Sequence, residues 1–111
     1  MKNIYILGVP RSGKTTFSIL LKEELENYSL LSLDAIRNAF HYSLPELEMI
    51  NRQSYSRKYI LPRFVAELVH WNHDISKNAC IVEGGLINLE DIIGQVRSDD
   101  IVICFCHGSH P

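Results

Sequence analysis

A stretch near the amino terminus combines two glycines, a lysine and a hydroxyl side chain at a spacing suited to holding phosphate. Residues Gly8–Thr15 read GVPRSGKT and fit the pattern G-x-x-x-x-G-K-[ST]. Gly8 and Gly13 let the backbone turn so that successive N–H groups face one anion. The Lys14 ammonium can reach the β- and γ-phosphates, and the Thr15 hydroxyl can ligate Mg²⁺. We therefore expect a triphosphate site formed by Gly8, Arg11, Ser12, Gly13, Lys14, Thr15 and Thr16.

The elements around this loop have the right order to position it. Residues 3–7 form a short apolar run typical of a buried strand. After the loop, apolar residues recur at i, i+3, i+4 and i+8, which predicts one helix face made of Phe17, Leu20, Leu21 and Leu25. A strand, a glycine loop and a helix distinguish a phosphate site from the alternative, a glycine-rich turn that only caps a helix.

Two carboxylates follow later strands of the same kind. Asp34 follows a predicted strand over residues 29–33, and Glu83 ends another over residues 79–83. Ligands of open parallel sheets bind just outside the carboxyl ends of the strands, so both should face the loop's crevice. Glu83 could hold Mg²⁺ or its bound water, or orient a substrate, and Asp34 could act as a general base. The alternatives are a helix cap for Asp34, at the start of a helix over residues 35–40, and a solvated carboxylate for Glu83.

An arginine lies one helical turn beyond the first of these carboxylates. Arg37 should share a helix face with Asp34. It could clamp an acceptor or a phosphate, or it could pair with a surface acid. The sequence leaves both alternatives open.

The remaining elements indicate the fold class. A helical pattern over residues 44–77 is interrupted by Pro62, where we expect a kink or a restart, and weaker helical spacing covers residues 88–96. A fourth strand is predicted at 101–106. Nearly continuous apolar strands that alternate with helices predict an α/β fold, a parallel sheet with helices on both faces. Because the chain stops soon after a strand, we expect one domain over residues 1–111 that is incomplete at its carboxyl end.

Composition limits the classes of partner. The chain has 111 residues, 46% of them hydrophobic, and a formal net charge of −2. That charge disfavours a nucleic-acid-binding surface but is compatible with a small phosphorylated ligand. No apolar run approaches the roughly 20 residues of a membrane helix, so we expect no membrane partner. Three cysteines argue against a disulfide scaffold and predict a cytoplasmic location.

Together, three segments make the chain resemble a known family. The loop, residues 33–37 (LDAIR) and residues 81–85 (IVEGG) are similar to the P-loop kinases that include zeta toxins and polynucleotide 5′-kinases. The resemblance implies a parallel strand order 2-3-1-4-5, here 2-3-1-4, and the use of ATP and Mg²⁺. It assigns Asp34 as the acceptor-activating base and Arg37 as a substrate contact, beside Lys14 and Thr15. The implied reaction transfers the γ-phosphoryl group to a hydroxyl of a small-molecule or nucleotide-like acceptor.

The chain also departs from that family. It lacks the lid arginines, the fifth strand and the adenine-binding loop that follow the fourth strand. Arg52, Arg57 and Arg63 are the candidates to replace the lid arginines. The alternative is a nucleotide-binding module without turnover, which acts through a partner. A GTPase is disfavoured because we find no N-K-x-D motif. With no fifth strand, residues 101–106 would form an apolar edge, which predicts association with a second copy or a separate remainder.

A second cluster of candidate ligands stands at the carboxyl end. Cys104, Cys106, His107 and His110 form C-x-C-H-x-x-H, which could collect Zn²⁺. The favoured alternative is that the cysteines are small buried hydrophobes of a strand. On the long helix we expect His70 and His73 at the surface and Trp71 in contact with the core.

Overall fold

The structure, a computed structural model, describes residues 2–43, 61–85 and 92–106. Four strands and three α-helices follow one another along this part of the chain, with a short 3₁₀ helix at Ile93–Gln95. In chain order they are β1 (Ile4–Gly8), α1 (Lys14–Glu24), β2 (Tyr28–Ser32), α2 (Leu33–Ser43), α3 (Leu61–Asp74), β3 (Ala79–Gly85) and β4 (Ile101–Phe105).

The four strands form one parallel sheet in the order β2-β3-β1-β4. The register places Ile6 of β1 beside Glu83 of β3, and Glu83 beside Ser32 of β2. Gly8, at the end of β1, pairs with Phe105 at the end of β4. The predicted α/β class and the order 2-3-1-4 are therefore confirmed. Because all four strands are parallel, the segments that follow them lie at the same end of the sheet, where the strands have their carboxyl ends. We call this end the carboxyl edge.

Helices cover both faces of the sheet, as the apolar strands predict. On one face Ile4, Ile6 and Ile81 pack against Leu21 of α1 and against Leu25, which caps the carboxyl end of that helix. The other face packs against α2 and α3 in a core that contains Tyr5, Leu7, Leu33, Val65, Cys80, Val82 and Ile92. Both faces of the central strands are thus buried, which explains why these strands show no alternation of polar and apolar residues.

The predicted buried face of α1 is only half right. Leu21 and Leu25 pack on the sheet, but Phe17 is 37% exposed and Leu20 is 55% exposed. The buried side instead includes Ser18, whose hydroxyl donates a 2.7 Å hydrogen bond to the Lys14 carbonyl oxygen. A polar residue that is satisfied by its own helix can occupy the core side, and hydrophobic spacing alone does not detect it.

The same error occurs on α3. Phe64 is 43% exposed and Trp71 is 54% exposed, so the expectation that Trp71 contacts the core is wrong. The face toward the sheet carries Val65, Val69 and Asn72, at i, i+4 and i+7. The Asn72 side-chain amide donates to the Leu68 carbonyl oxygen at 2.9 Å, which lets a polar residue be buried there. As on α1, a buried polar residue makes the buried face of the helix impossible to identify from apolar spacing alone.

Helix α3 begins at Leu61, so Pro62 stands in its first turn, where a missing N–H costs no helical hydrogen bond, as a restart at Pro62 predicts. Strand β3 differs from prediction, because it runs through Gly84 to Gly85 rather than ending before them. Of the helix expected at 88–96, the described part contains one α-helical residue, Ile92, and then the 3₁₀ helix; Ile92 is buried but Ile93 is 61% exposed. Residues 44–60 and 86–91 lie outside the described residues, as do Arg52 and Arg57.

The cysteines divide by position. Cys80 is buried, whereas Cys104 and Cys106 are exposed, so the prediction that these two are buried is wrong. The cause is the outer position of β4 among the four described strands, where its side chains are less covered than those of the central strands. His107 and His110 lie outside the described residues, and the described part holds no cluster of three metal-binding side chains. The predicted association through β4 stays a prediction.

None of the helices within the described ranges combines the length and the apolar composition needed to span a membrane.

Candidate functional site

The loop after β1 adopts a conformation that requires glycine at two places. At Gly13 the backbone φ is 87°, in the left-handed region that only glycine adopts without strain. At Gly8 the constraint is space, because a Cβ atom there would lie 2.7 Å from Phe105 Cβ and 2.8 Å from Ser12 Oγ. Arg11 also has a positive φ, of 61°. The two glycines of the motif therefore have separate physical reasons, conformation for Gly13 and close packing for Gly8.

Helix α1 begins at this loop with free amide donors. Gly13 is its N-cap residue, and no side chain caps the helix there. The first helical hydrogen bond runs from the Phe17 N–H to the Gly13 carbonyl oxygen, at 2.9 Å. The amides of residues 14–16 therefore have no acceptor within the helix. Together with the positive end of the helix dipole, they make this terminus a natural place for an anion.

A concavity lies over these amides. Its volume is about 330 Å³, and it is lined by six consecutive residues, Arg11, Ser12, Gly13, Lys14, Thr15 and Thr16. The structure thus brings together all but one of the predicted nucleotide-contacting residues around one space. The exception, Gly8, lies under the loop and acts by letting it approach β4. The Ser12 hydroxyl oxygen is buried and has no hydrogen-bond partner within the described residues.

Lys14 folds back over the loop. Its side chain is only 9% exposed, and its ammonium donates to the Val9 carbonyl oxygen at 3.5 Å. This contact is long for a hydrogen bond of a charged donor, so little holds the ammonium in that place. The ammonium can exchange the carbonyl for a ligand oxygen without losing a strong interaction.

The Glu83 carboxylate lies beside the start of α1. The Thr15 hydroxyl donates to Glu83 Oε1 at 3.1 Å, across 68 positions of the sequence. Glu83 is 5% exposed and stands in β3 with Ile6 on one side and Ser32 on the other. Two hard oxygen atoms of different elements therefore meet beside the uncapped amides of α1, and Thr15 and Glu83 are the residues that could hold a divalent cation. The sequence predicted Thr15 from the loop motif and Glu83 from its position at the end of a strand.

Asp34 lies at the same edge but not in its predicted structural role. Helix α2 begins at Leu33, and the Ser32 hydroxyl accepts the Ala35 N–H at 3.2 Å. Ser32 is therefore the capping residue, and the prediction of Asp34 as the cap is wrong, since Asp34 already belongs to the first turn. The Asp34 side chain is exposed and Arg37 is half-buried. Because Ser32 is the register partner of Glu83, α2 starts near the Thr15–Glu83 contact, with Asp34 and Arg37 three residues apart on it.

One residue of the site was not predicted from the sequence. Phe105, the last residue of β4, accepts the Val9 N–H at 3.2 Å, and its ring lies 5.4 Å from that of Phe17. It thereby supports the loop from below and links it to the first turns of α1. A phenylalanine is not a residue type that indicates a phosphate-binding loop. Only the expected position of β4 next to β1 could have identified Phe105 from the sequence.

Comparison of the chain with protein-family models, with curated proteins and with solved structures found no match in any of the three. The functional interpretation therefore rests on the residues and the geometry of the carboxyl edge.

Proposed function

We propose that the chain binds ATP with Mg²⁺ at the loop of residues 8–16 and transfers the γ-phosphoryl group to a hydroxyl of a small-molecule or nucleotide-like acceptor. The observation that carries the proposal is the 3.1 Å contact between Thr15 Oγ1 and Glu83 Oε1 beside the uncapped start of α1. It joins a cation-binding pair to an anion-binding terminus, which is the combination that a metal–triphosphate ligand requires.

The oxygen pair fits the geometry of magnesium. With Mg–O distances of about 2.1 Å, neighbouring corners of an octahedron are about 3 Å apart. The two oxygens of Thr15 and Glu83 are 3.1 Å apart, so they can occupy adjacent corners with little movement. When bound, Mg²⁺ would neutralise charge on the phosphate oxygens. The donor set contains only oxygen, which suits Mg²⁺ rather than a softer metal.

The chain's own residues have distinct roles in the proposed reaction. The amides of residues 14–16 and the Lys14 ammonium bind the phosphate oxygens and orient the γ-phosphorus. Asp34 accepts the proton of the acceptor hydroxyl as its oxygen bonds to phosphorus and the bond to the ADP oxygen breaks. Arg37, one turn further along α2, positions the acceptor. These roles agree with the resemblance to P-loop kinases.

Calorimetry of Mg²⁺-ATP on the whole chain tests the binding half of the proposal. Lys14→Ala should weaken binding about 10- to 150-fold, because charge-assisted hydrogen bonds contribute about 1.5–3 kcal/mol. Lys22→Ala, in the last turn of the same helix, is the matched control and should bind as the wild type does. Equal binding by both variants would refute the phosphate site.

Phosphoryl transfer needs a separate readout. Radiolabelled γ-phosphate should appear on members of a panel of sugars, nucleosides and other small alcohols. Asp34→Asn should retain ATP binding and lose this transfer. Binding without transfer to any acceptor would instead favour the second candidate, a nucleotide-binding module without turnover. GTP in place of ATP distinguishes a guanine-specific site.

A further inference from the structure

A second cavity lies at the opposite end of the sheet from the loop. Its volume is about 180 Å³, and its walls come from the start of β1, one stripe of α3, and the end of the 3₁₀ helix with the segment that follows it. The polar side chains that line it are Asn3, Tyr5, His70, His73, Gln95 and Arg97. The proposed triphosphate site uses none of these residues.

Two buried polar atoms in this cavity have no hydrogen-bond partner within the described residues. They are the Tyr5 hydroxyl oxygen and His73 Nε2. Tyr5 is fully buried, at 0% exposure, in the central strand of the sheet. Native proteins satisfy nearly all such groups, because a buried polar atom without a partner costs free energy. Two in one cavity indicate that something else occupies it.

Three polar side chains in and around the cavity, those of Asn3, Asp100 and Asp74, already make other contacts. Asn3 Oδ1 accepts the Cys80 N–H at 3.0 Å. The two carboxylate oxygens of Asp100 accept backbone N–H groups, from Asn3 at 3.0 Å and from Arg97 at 2.8 Å. The Asp74 carboxylate pairs with His70 Nε2 at 2.8 Å. The neighbouring oxygens thus serve the fold, and the cavity is left with a surplus of donors.

Those donors define the chemistry of the missing partner. Burial, with a further contribution from the Asp100 carboxylate, raises the pKa of Tyr5 to about 12, although the nearby Asn3 side chain acts in the opposite direction without forming a hydrogen bond of good geometry. The Tyr5 O–H is therefore a donor at neutral pH. His73 Nε2 donates in one neutral tautomer and in the charged form, and the Arg97 guanidinium always donates. A ligand that accepts several hydrogen bonds and carries negative charge satisfies all of them. With a volume of about 180 Å³, the cavity has room for a small molecule and not only for a single water.

We propose that the cavity of Tyr5, His73, Gln95 and Arg97 binds a small oxyanion, a carboxylate or a phosphate, at a site separate from the loop. The Tyr5 hydroxyl and His73 Nε2 donate to its oxygens, and Arg97 supplies the opposite charge at the mouth. The cavity lies between β1, α3 and the end of the 3₁₀ helix with the segment after it, so its ligand would contact three parts of the fold.

Titration of the whole chain with sodium acetate and, separately, with inorganic phosphate tests the proposal. Histidine ring resonances in ¹H–¹⁵N spectra report binding at the cavity, and the His73→Gln variant identifies the His73 signal. We expect a saturable shift of that signal with at least one anion, at a Kd of about 1 mM or tighter. Whichever anion saturates it identifies the class, carboxylate or phosphate.

Variants separate this cavity from the loop. Tyr5→Phe removes only the unpartnered hydroxyl, and we expect it to weaken binding about tenfold or more. Tyr28→Phe is the matched control, since the Tyr28 hydroxyl donates to the Lys2 carbonyl oxygen at 2.9 Å, away from the cavity. Lys14→Ala should leave the His73 shift unchanged even if phosphate no longer binds the loop. Arg97→Gln, at an exposed position, tests the charge should Tyr5→Phe not fold.

Several results would overturn the proposal. These are the absence of a saturable His73 shift with either anion, equal binding by Tyr5→Phe and the wild type, and a His73 shift that depends on Lys14. None of them bears on ATP binding at the loop, which is measured independently by calorimetry.

Discussion

Replacing the buried carboxylate of the proposed cation site should separate magnesium binding from phosphate binding. In Glu83→Gln the side chain keeps its size, and its amide oxygen can still accept the Thr15 hydroxyl, now 3.1 Å from Glu83 Oε1. The fold should therefore be little affected, with a change in the free energy of unfolding of about 1 kcal/mol or less. What is lost is the negative charge that would face the cation.

The expected magnitude follows from one charged contact. Interactions to an ionised group contribute about 1.5–3 kcal/mol, which corresponds to a loss of about 10- to 150-fold in affinity. The loss should appear only with Mg²⁺-ATP. With ATP in EDTA, Glu83→Gln should bind at least as tightly as the wild type, since a buried negative charge near the phosphates has been removed.

Calorimetry with and without Mg²⁺ is the assay, and Thr15→Val is the companion variant. If both side chains hold one ion, the double variant should lose little more than either single variant, because the two substitutions remove the same interaction. Wild-type magnesium dependence in Glu83→Gln would refute the reasoning. So would an equal loss in EDTA, which would show that Glu83 supports the loop rather than a cation.

Three other predictions concern the framework that holds the sites. Gly8→Ala should destabilise the chain by about 1–3 kcal/mol in chemical denaturation, since its Cβ would lie 2.7 Å from Phe105 Cβ; Gly94→Ala, with open space around it, is the control that should change little. Asn3→Ala should cost about 1–3 kcal/mol because it leaves the buried Cys80 N–H without its acceptor, and an unchanged midpoint would contradict that role. Burial raises the pKa of Cys80 from 9.0 to about 11, so the folded state keeps a proton that the unfolded state loses. The free energy of unfolding should fall as pH rises from 9 towards 11, and the Cys80 thiol should account for a loss of about 1.4 kcal/mol at pH 10. This loss should be absent from Cys80→Ala. If the stability of Cys80→Ala decreased with pH as steeply as that of the wild type, the assignment to Cys80 would be wrong.

Much of the carboxyl edge could be predicted from the sequence because its constraints are local. The loop needs glycine at fixed positions, and the apolar run before it and the helix after it are short-range patterns. The positions of Glu83 and Asp34 followed from one topological rule, that parallel strands end at a common edge. The strand order itself came only with the resemblance to a family, since no local pattern specifies which strands are neighbours.

What failed was the direction of helix faces. On α1 and α3 the buried stripe contains a polar residue, Ser18 or Asn72, that bonds to its own helix. When only apolar residues are counted, the predicted buried face is therefore displaced by about one residue from the face that packs on the sheet. The cap of α2 failed for a related reason, because Ser32 and Asp34 are both good capping residues and only the backbone decides between them.

The distribution of buried polar groups is the strongest argument that the carboxyl edge is functional. Among the described residues five polar side chains are buried: Asn3, Lys14, Ser18, Asn72 and Glu83. Ser18 and Asn72 bond back to their own helix, and Asn3 joins two strands, so these three serve the fold. Lys14 and Glu83 differ because they are charged, and the hydrogen bonds they make are to a neutral carbonyl and a neutral hydroxyl.

Burying a charge beside neutral groups alone is unfavourable, and folding gains nothing from it that an apolar side chain would not provide. The two charges also have opposite signs, and both lie beside the start of α1, which no described side chain caps. A ligand that carries both a cation and an anion would compensate each of them at once. The proposed metal–triphosphate binding would therefore account for an arrangement that stability alone does not explain, and Lys14→Met or Glu83→Gln should leave the chain at least as stable as the wild type while weakening that binding.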